Sequence, residues 1–311
     1  GGGMNAAQRK ELAVKTFLCS QGCFEIQTIA MTAGQEFNQF LIPEDAKERR
    51  AVEILNPITE NLSIMRTFMA PSMVRVIENN LKNGHTDLRF FEIANVYLPK
   101  SLPLTEAPRE VKTLCLGYTG SAEDFFTMKE TLEALAADND LTFTYKKGNV
   151  PYLHPGRTAF VYCDGTFIGT FGQLRYDVVD SLAIAKDRKA DTKIFLAELD
   201  YDALCTKFKD GIHYVPESPY AKISRDISLI VDKKVECGDI IGKICQADAL
   251  VSKVQLFDIF ESEKLGIAKK SMAFNIELAS REMDVTDEMT DAAIQRIVEL
   301  LGEEYGALMR S

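Results

Sequence analysis

The stretch Asn56-Pro57-Ile58-Thr59-Glu60-Asn61-Leu62-Ser63-Ile64-Met65-Arg66-Thr67, continuing to Arg89-Phe90-Phe91-Glu92-Ile93-Ala94-Asn95-Val96-Tyr97, decides how the chain is read. It predicts a loop closed by Asn-Pro and ending at an arginine, a helix, and an apolar strand carrying an Arg-x-x-Glu pair. Pro71 suits the first turn of that helix and Gly84 the position just past its end. Val74, Ile77 and Leu81 fall on one helical face.

Upstream, Asn5 to Gln21 predicts a helix with Val14, Phe17 and Leu18 on one side and Gly22 as its stop. Phe24, Ile26, Thr28 and Ala30 alternate with Glu25, Gln27 and Ile29, which predicts a long strand. Glu44 to Arg50 is a charged, solvated helical turn, and Val52 to Leu55 a short buried strand. Downstream, the prolines of 99–108 break regular structure before an apolar strand, Val111 to Tyr118. Ser121-x-x-Asp124 can cap a helix in which Phe125, Met128, Leu132 and Leu135 recur at helical spacing. His154-Pro155-Gly156-Arg157-Thr158-Ala159 leads into a hairpin turning at Asp164-Gly165. Gly169 and Gly172 on the returning strand permit close approach of backbone or ligand. Another strand spans Thr192 to Leu199.

Asp210-Gly211 with Pro216 and Pro219 marks the clearest boundary, dividing the chain into 4–210 and 211–311. Beyond it the order is strand Ile223–Val231, helix Asp239–Ala249, strands Val254–Phe260 and Ser271–Leu278, and helix Asp287–Tyr305 capped by Thr286. A short edge strand follows at Ala307–Arg310. This βαββαβ order is the ferredoxin-like arrangement, which unrelated proteins share.

The 311 residues, 46% hydrophobic and 26% charged, suit an ordinary protein of two domains. Gly1-Gly2-Gly3 before Met4 resemble an added scar. No secretory signal follows, and no apolar run approaches the roughly 20 residues that span a bilayer. The seven cysteines are scattered without a CxxC pair, beside three histidines, which argues for reduced, mostly buried thiols and against structural zinc. A net charge of −10 argues against a protein that coats nucleic acid electrostatically. Residues 211–311 hold 12 Lys+Arg against 18 Asp+Glu, a balance of −6, so any RNA contact must come from a few placed residues.

The helix and Arg-x-x-Glu strand of the opening stretch resemble motif 2 of class II aminoacyl-tRNA synthetases. Their wording is similar to the β chain of bacterial phenylalanyl-tRNA synthetase. Phe125-Phe126-Thr127-Met128-Lys129, the His-Pro-Gly-Arg block, Ser224-Arg225-Asp226-Ile227, Leu256-Phe257-Asp258-Ile259-Phe260 and Lys269-Lys270-Ser271 extend the resemblance from Asn5 to Ser311. It implies an α+β chain: an antiparallel-sheet module like the class II catalytic domain, then a ferredoxin-fold anticodon-binding domain. It also implies that upstream modules, including an editing site for mischarged tyrosine, lie outside these residues, so that the chain is a C-terminal piece.

Working class II sites stabilise charge at the α-phosphate with arginines from motifs 2 and 3 and with magnesium. No glycine-rich segment ending in Glu-Arg stands between Gly120 and Asp210. The nearest run, Gly165 to Arg175, has Gln173-Leu174-Arg175. In the family the α chain holds the active site and uses ATP and magnesium. The resemblance therefore implies a scaffold that assembles with the α subunit into a cytoplasmic heterotetramer, a phenylalanine–tRNA ligase, while this chain alone is inactive and needs no cofactor. It has no catalytic and no metal-ligating residues, and Arg89 and Glu92 are a degenerate motif 2, expected to form a structural ion pair. The second domain is expected to bind tRNA-Phe through Lys222, Arg225, Lys264, Lys269 and Lys270. Apolar surface meant for a partner also implies self-association when the chain is alone. The competing readings are a self-sufficient class II enzyme and a free-standing RNA-binding or regulatory module.

Overall fold

A computed structural model describes residues 2–184, 192–208, 218–262 and 265–310. The chain divides into two compact units, Gly1–Asp210 and Gly211–Ser311. The expected linker residues Asp210, Gly211 and Pro216 fall outside the described residues.

The first unit opens with α1 (Ala6–Ser20), β1 (Phe24–Glu25), β2 (Met31–Thr32), α2 (Glu36–Gln39) and β3 (Ile64–Met65). Then come α3 (Ala70–Lys82), β4 (Leu88–Leu98), β5 (Arg109–Thr119), α4 (Phe125–Asp138), β6 (Phe143–Lys147), β7 (Leu153–Cys163) and β8 (Thr166–Leu174). It closes with α5 (Tyr176–Ser181), β9 (Ile194–Asp200) and α6 (Tyr201–Cys205). Seven strands form one sheet in the order β1-β4-β5-β9-β8-β7-β6, antiparallel throughout except for the parallel pair β1/β4. Caps explain the helix bounds. Asn5 accepts from the Gln8 N–H while its own N–H donates to the Gln8 side chain. Asp124, not Ser121, caps α4.

Alternation along β4 and β5 builds a core on each face of the sheet. Phe90, Val96 and Cys115 pack with Met73 and Ile77 of α3, whereas Phe91, Leu114, Leu116 and Tyr118 pack with Leu18 of α1 and Leu132 of α4. Full burial of each large apolar side chain contributes roughly 1.5–3 kcal/mol. Close approach depends on two glycines. A Cβ on Gly117 would lie 2.5 Å from Met73 Cγ, and one on Gly169 would lie 2.1 Å from the Glu198 carbonyl oxygen. Gly169 and Gly172 both meet neighbouring backbone, so of the two expected roles backbone approach is the one realised. Asp164 and Gly165 both take positive φ, 47° and 72°, as a type I′ hairpin turn requires.

Three local expectations fail. The long strand from Phe24 stops at Glu25, and Phe24 is 70% exposed. The Thr28 N–H donates instead to a Glu92 carboxylate oxygen, which removes it from any ladder. The segment Val52 to Leu55 is no buried strand: it contributes a single bridge, Glu53 to Ile64, and Leu55 is 97% exposed. The thiols are not mostly buried. Cys23, Cys115 and Cys163 are, while Cys205 and Cys237 are half-buried and Cys19 and Cys245 exposed.

The second unit contains β10 (Ile223–Asp232), α7 (Cys237–Ala247), β11 (Val251–Phe260), β12 (Lys269–Leu278), α8 (Asp287–Tyr305) and β13 (Leu308–Met309). Its sheet runs β11-β12-β10-β13, all antiparallel. Ile227, Leu229 and Val231 of β10 and Met272, Phe274 and Ile276 of β12 meet Ile240, Ile244, Ile297 and Leu301 of the helices. Gly306, at φ 60°, ends α8 in the left-handed conformation.

Candidate functional site

Arg89 and Glu92 do not pair. Residues three apart on a strand point to opposite faces, and β4 separates them accordingly. Arg89 Nε donates to Glu123 at 2.7 Å, its Nη1 to the Gln21 carbonyl at 3.3 Å, and its guanidinium lies 5.1 Å from the centre of the Tyr118 ring. The hydrogen bond to Glu123 raises the Arg89 pKa further. On the other face Glu92 faces Arg66. Both side chains are 2% exposed with Nη1 and Oε2 3.8 Å apart. Thr28 Oγ1 donates to Glu92 Oε2 and accepts from Arg66 Nη1, each at 2.7 Å. Arg66 Nε donates to the Asn95 carbonyl at 2.9 Å.

A second buried carboxylate lies close by. Glu198 accepts from the Met69 and Ala70 N–H groups at 2.9 and 2.8 Å and from the Tyr152 hydroxyl at 3.2 Å. It thus occupies the positive start of α3. Burial pushes its pKa up against these donors. Both of these buried acids, Glu92 and Glu198, are therefore held by the protein itself. Among the described residues no three His, Cys, Asp or Glu side chains stand close enough to hold a metal ion.

In the second unit the expected basic residues do not converge. Arg225 faces the helices and pairs with Asp287 at 2.6 Å. Lys269 pairs with Asp232 at 2.8 Å. Arg225 stands opposite Ile276 and Lys269 opposite Asp232, seven positions along β10 and so about 23 Å apart. Lys269 and Lys270 are consecutive on β12 and face opposite sides. Lys222 is exposed just before β10, and Lys264 lies outside the described residues.

The sheet face away from the helices carries other groups. Phe260 is exposed and stands opposite Ser271, with the Arg310 guanidinium 5.2 Å from its ring centre. Arg310 N–H donates to the Ser228 carbonyl at 2.8 Å, and the Ser228 and Ser271 hydroxyls are 3.0 Å apart. Asn275 donates to Ser224 and Asp226 at 2.7 Å each. An aromatic ring and a guanidinium on one sheet face are groups on which unstacked bases stack. The Phe257-Asp258-Ile259-Phe260 run was a signal for this face, obscured by the bulge between Leu256 and Asp258.

Residues 1–201 match the family model described as the phenylalanyl tRNA synthetase beta chain CLM domain, and residues 218–310 match the ferredoxin-fold anticodon binding domain. Phenylalanine–tRNA ligase beta subunits are similar over nearly the whole chain. That of Halalkalibacterium halodurans is 30% identical over 99% of this chain and 39% of its own length. That of Oceanobacillus iheyensis is 27% identical over 100% and 39%, and that of Carboxydothermus hydrogenoformans 28% identical over 97% and 38%. The chain thus spans about two fifths of the length of these curated relatives.

Proposed function

Because this chain belongs to the phenylalanyl-tRNA synthetase β-chain family, we propose that it serves phenylalanine–tRNA ligase as a non-catalytic scaffold that joins the α subunit and holds tRNA-Phe near its anticodon. Residues 4–210 are the catalytic-like module and 211–311 the anticodon-binding domain. ATP and magnesium act on the α subunit, AMP is formed there, and the assembly works in the cytoplasm.

The observation that carries this reading is the fate of two arginines, Arg66 before α3 and Arg89 on β4. Charge developing at an α-phosphate needs preorganised donors that are free to meet it. Arg66 is spent on Glu92, Thr28 and the Asn95 carbonyl, and Arg89 on Glu123 and Tyr118. The exposed apolar residues Phe24, Ile29, Leu55 and Ile58 offer surface for a partner, or for a second copy when the partner is absent.

Two assays test the division of labour. ATP–pyrophosphate exchange by the chain alone is expected to be nil, and measurable exchange would restore the self-sufficient enzyme. Binding of tRNA-Phe is expected to be salt-dependent and weakened by changes in the second unit. Equal affinity for an unrelated tRNA would favour a free-standing RNA-binding module.

A further inference from the structure

A cavity of about 370 Å³ in the first unit lies where the start of α4 meets β7, β8 and β9. Phe125, Phe126 and Phe195 supply its apolar lining, and Asp124, Arg157, Gln173, Lys193 and the Gly156 backbone its polar one. The register of β7 against β8 breaks between Leu153 and Thr158, so His154 to Arg157 arch out of the ladder. Such irregularities re-aim side chains, and here Arg157 is directed back over β8, where its Nη1 donates to Gln173 Oε1 at 2.9 Å.

Gln173 is 1% exposed, and its Nε2 meets no acceptor in hydrogen-bonding geometry. A buried donor without a partner is destabilising. Tyr176 beside it already accepts weakly from Arg157 at 3.4 Å. Contacts with Gln173 first, and then with Arg157, hold the Tyr176 phenol below its ordinary pKa. Asp124, the one acid of the lining, already accepts the Phe126 and Thr127 N–H groups through one carboxylate oxygen. Phe126, 69% exposed, leaves an aromatic face open at the rim.

We propose that this cavity binds a small aromatic molecule bearing an oxyanion, with Gln173 Nε2, Arg157 and Lys193 holding the anion and Phe125, Phe126 and Phe195 the ring. The anion supplies the acceptor that Gln173 lacks, and it would sit apart from the buried Glu92 and Glu198 networks.

Ligand-observed fluorine NMR on the whole chain tests the site with para-fluorobenzoate, para-fluorophenyl phosphate and neutral para-fluoroanisole. The first two arms separate carboxylate from phosphate. Saturable binding of at least one anion is expected, with affinity about ten-fold lower in Arg157→Met and Gln173→Leu, as loss of a hydrogen bond to a charged group requires. Should Gln173→Leu fail to fold, Arg157→Met and Lys193→Met, at exposed positions, decide the matter. Absence of binding at millimolar concentration, equal binding of the anisole, or anion binding unchanged in the folded variants would each overturn the proposal.

Discussion

Arg66 and Glu92, 26 positions apart, close on each other inside the first unit, each 2% exposed and bridged by the Thr28 hydroxyl. The pair ties the loop before α3 to the central strand β4 and to the segment after β1. Removing one partner leaves a buried charge, so Arg66→Met and Glu92→Gln are each expected to lower stability by about 3–5 kcal/mol. Arg89→Met, which breaks a half-exposed pair, is expected to cost about 1 kcal/mol or less. Urea unfolding of the three variants checks the ranking.

Gly169 accepts no side chain, because a Cβ would sit 2.1 Å from a backbone oxygen of β9. Gly169→Ala is expected to destabilise by at least about 1–3 kcal/mol. Gly117→Ala, whose obstacle is the flexible Met73 side chain, is expected to cost less. Thermal melts of the two variants separate a rigid obstacle from a yielding one.

Glu198 gives stability a pH dependence of definite sign. Its folded pKa is raised by burial above the usual 4.5, so between the two values the folded chain binds more protons than the unfolded one. Stability from this group therefore falls as pH rises through that window. Glu198→Gln does not titrate, so the difference in unfolding free energy between wild type and variant should change with pH above 4.5 in that direction. A difference flat across this range would contradict the assignment.

For RNA, the open face of the second sheet should outweigh the lysines. Phe260→Ala and Arg310→Ala are each expected to weaken tRNA-Phe binding by about 1–3 kcal/mol, the worth of one base stacked on an aromatic ring. Lys269→Ala, whose ammonium is already paired with Asp232, should change affinity little and lower the salt slope by less than about one. Filter binding at several salt concentrations measures both quantities.

Much of the fold was legible because its signals are local. Pro71 and Gly84 bound α3, Asp164-Gly165 turns the hairpin, and Thr286 with Gly306 frames α8. The partners of charged groups were not legible, because they come from distant segments. The strand period alone does separate Arg89 from Glu92, and Lys269 from Lys270, which a reading by proximity in sequence overlooks. Alternation after Phe24 predicted a longer strand because nothing near it reveals that Glu92 takes the Thr28 N–H. Arg310 was missed as a candidate because its ring partner, Phe260, lies 50 positions upstream.

The central claim is that this chain is an assembly and tRNA-holding piece without its own chemistry. Light scattering after size exclusion, on the chain alone and mixed with a phenylalanyl-tRNA synthetase α chain, tests it most directly. A stable mixed complex, with the α chain displacing any self-association of this one, is the predicted result. A folded chain that elutes unchanged beside the α chain would contradict it.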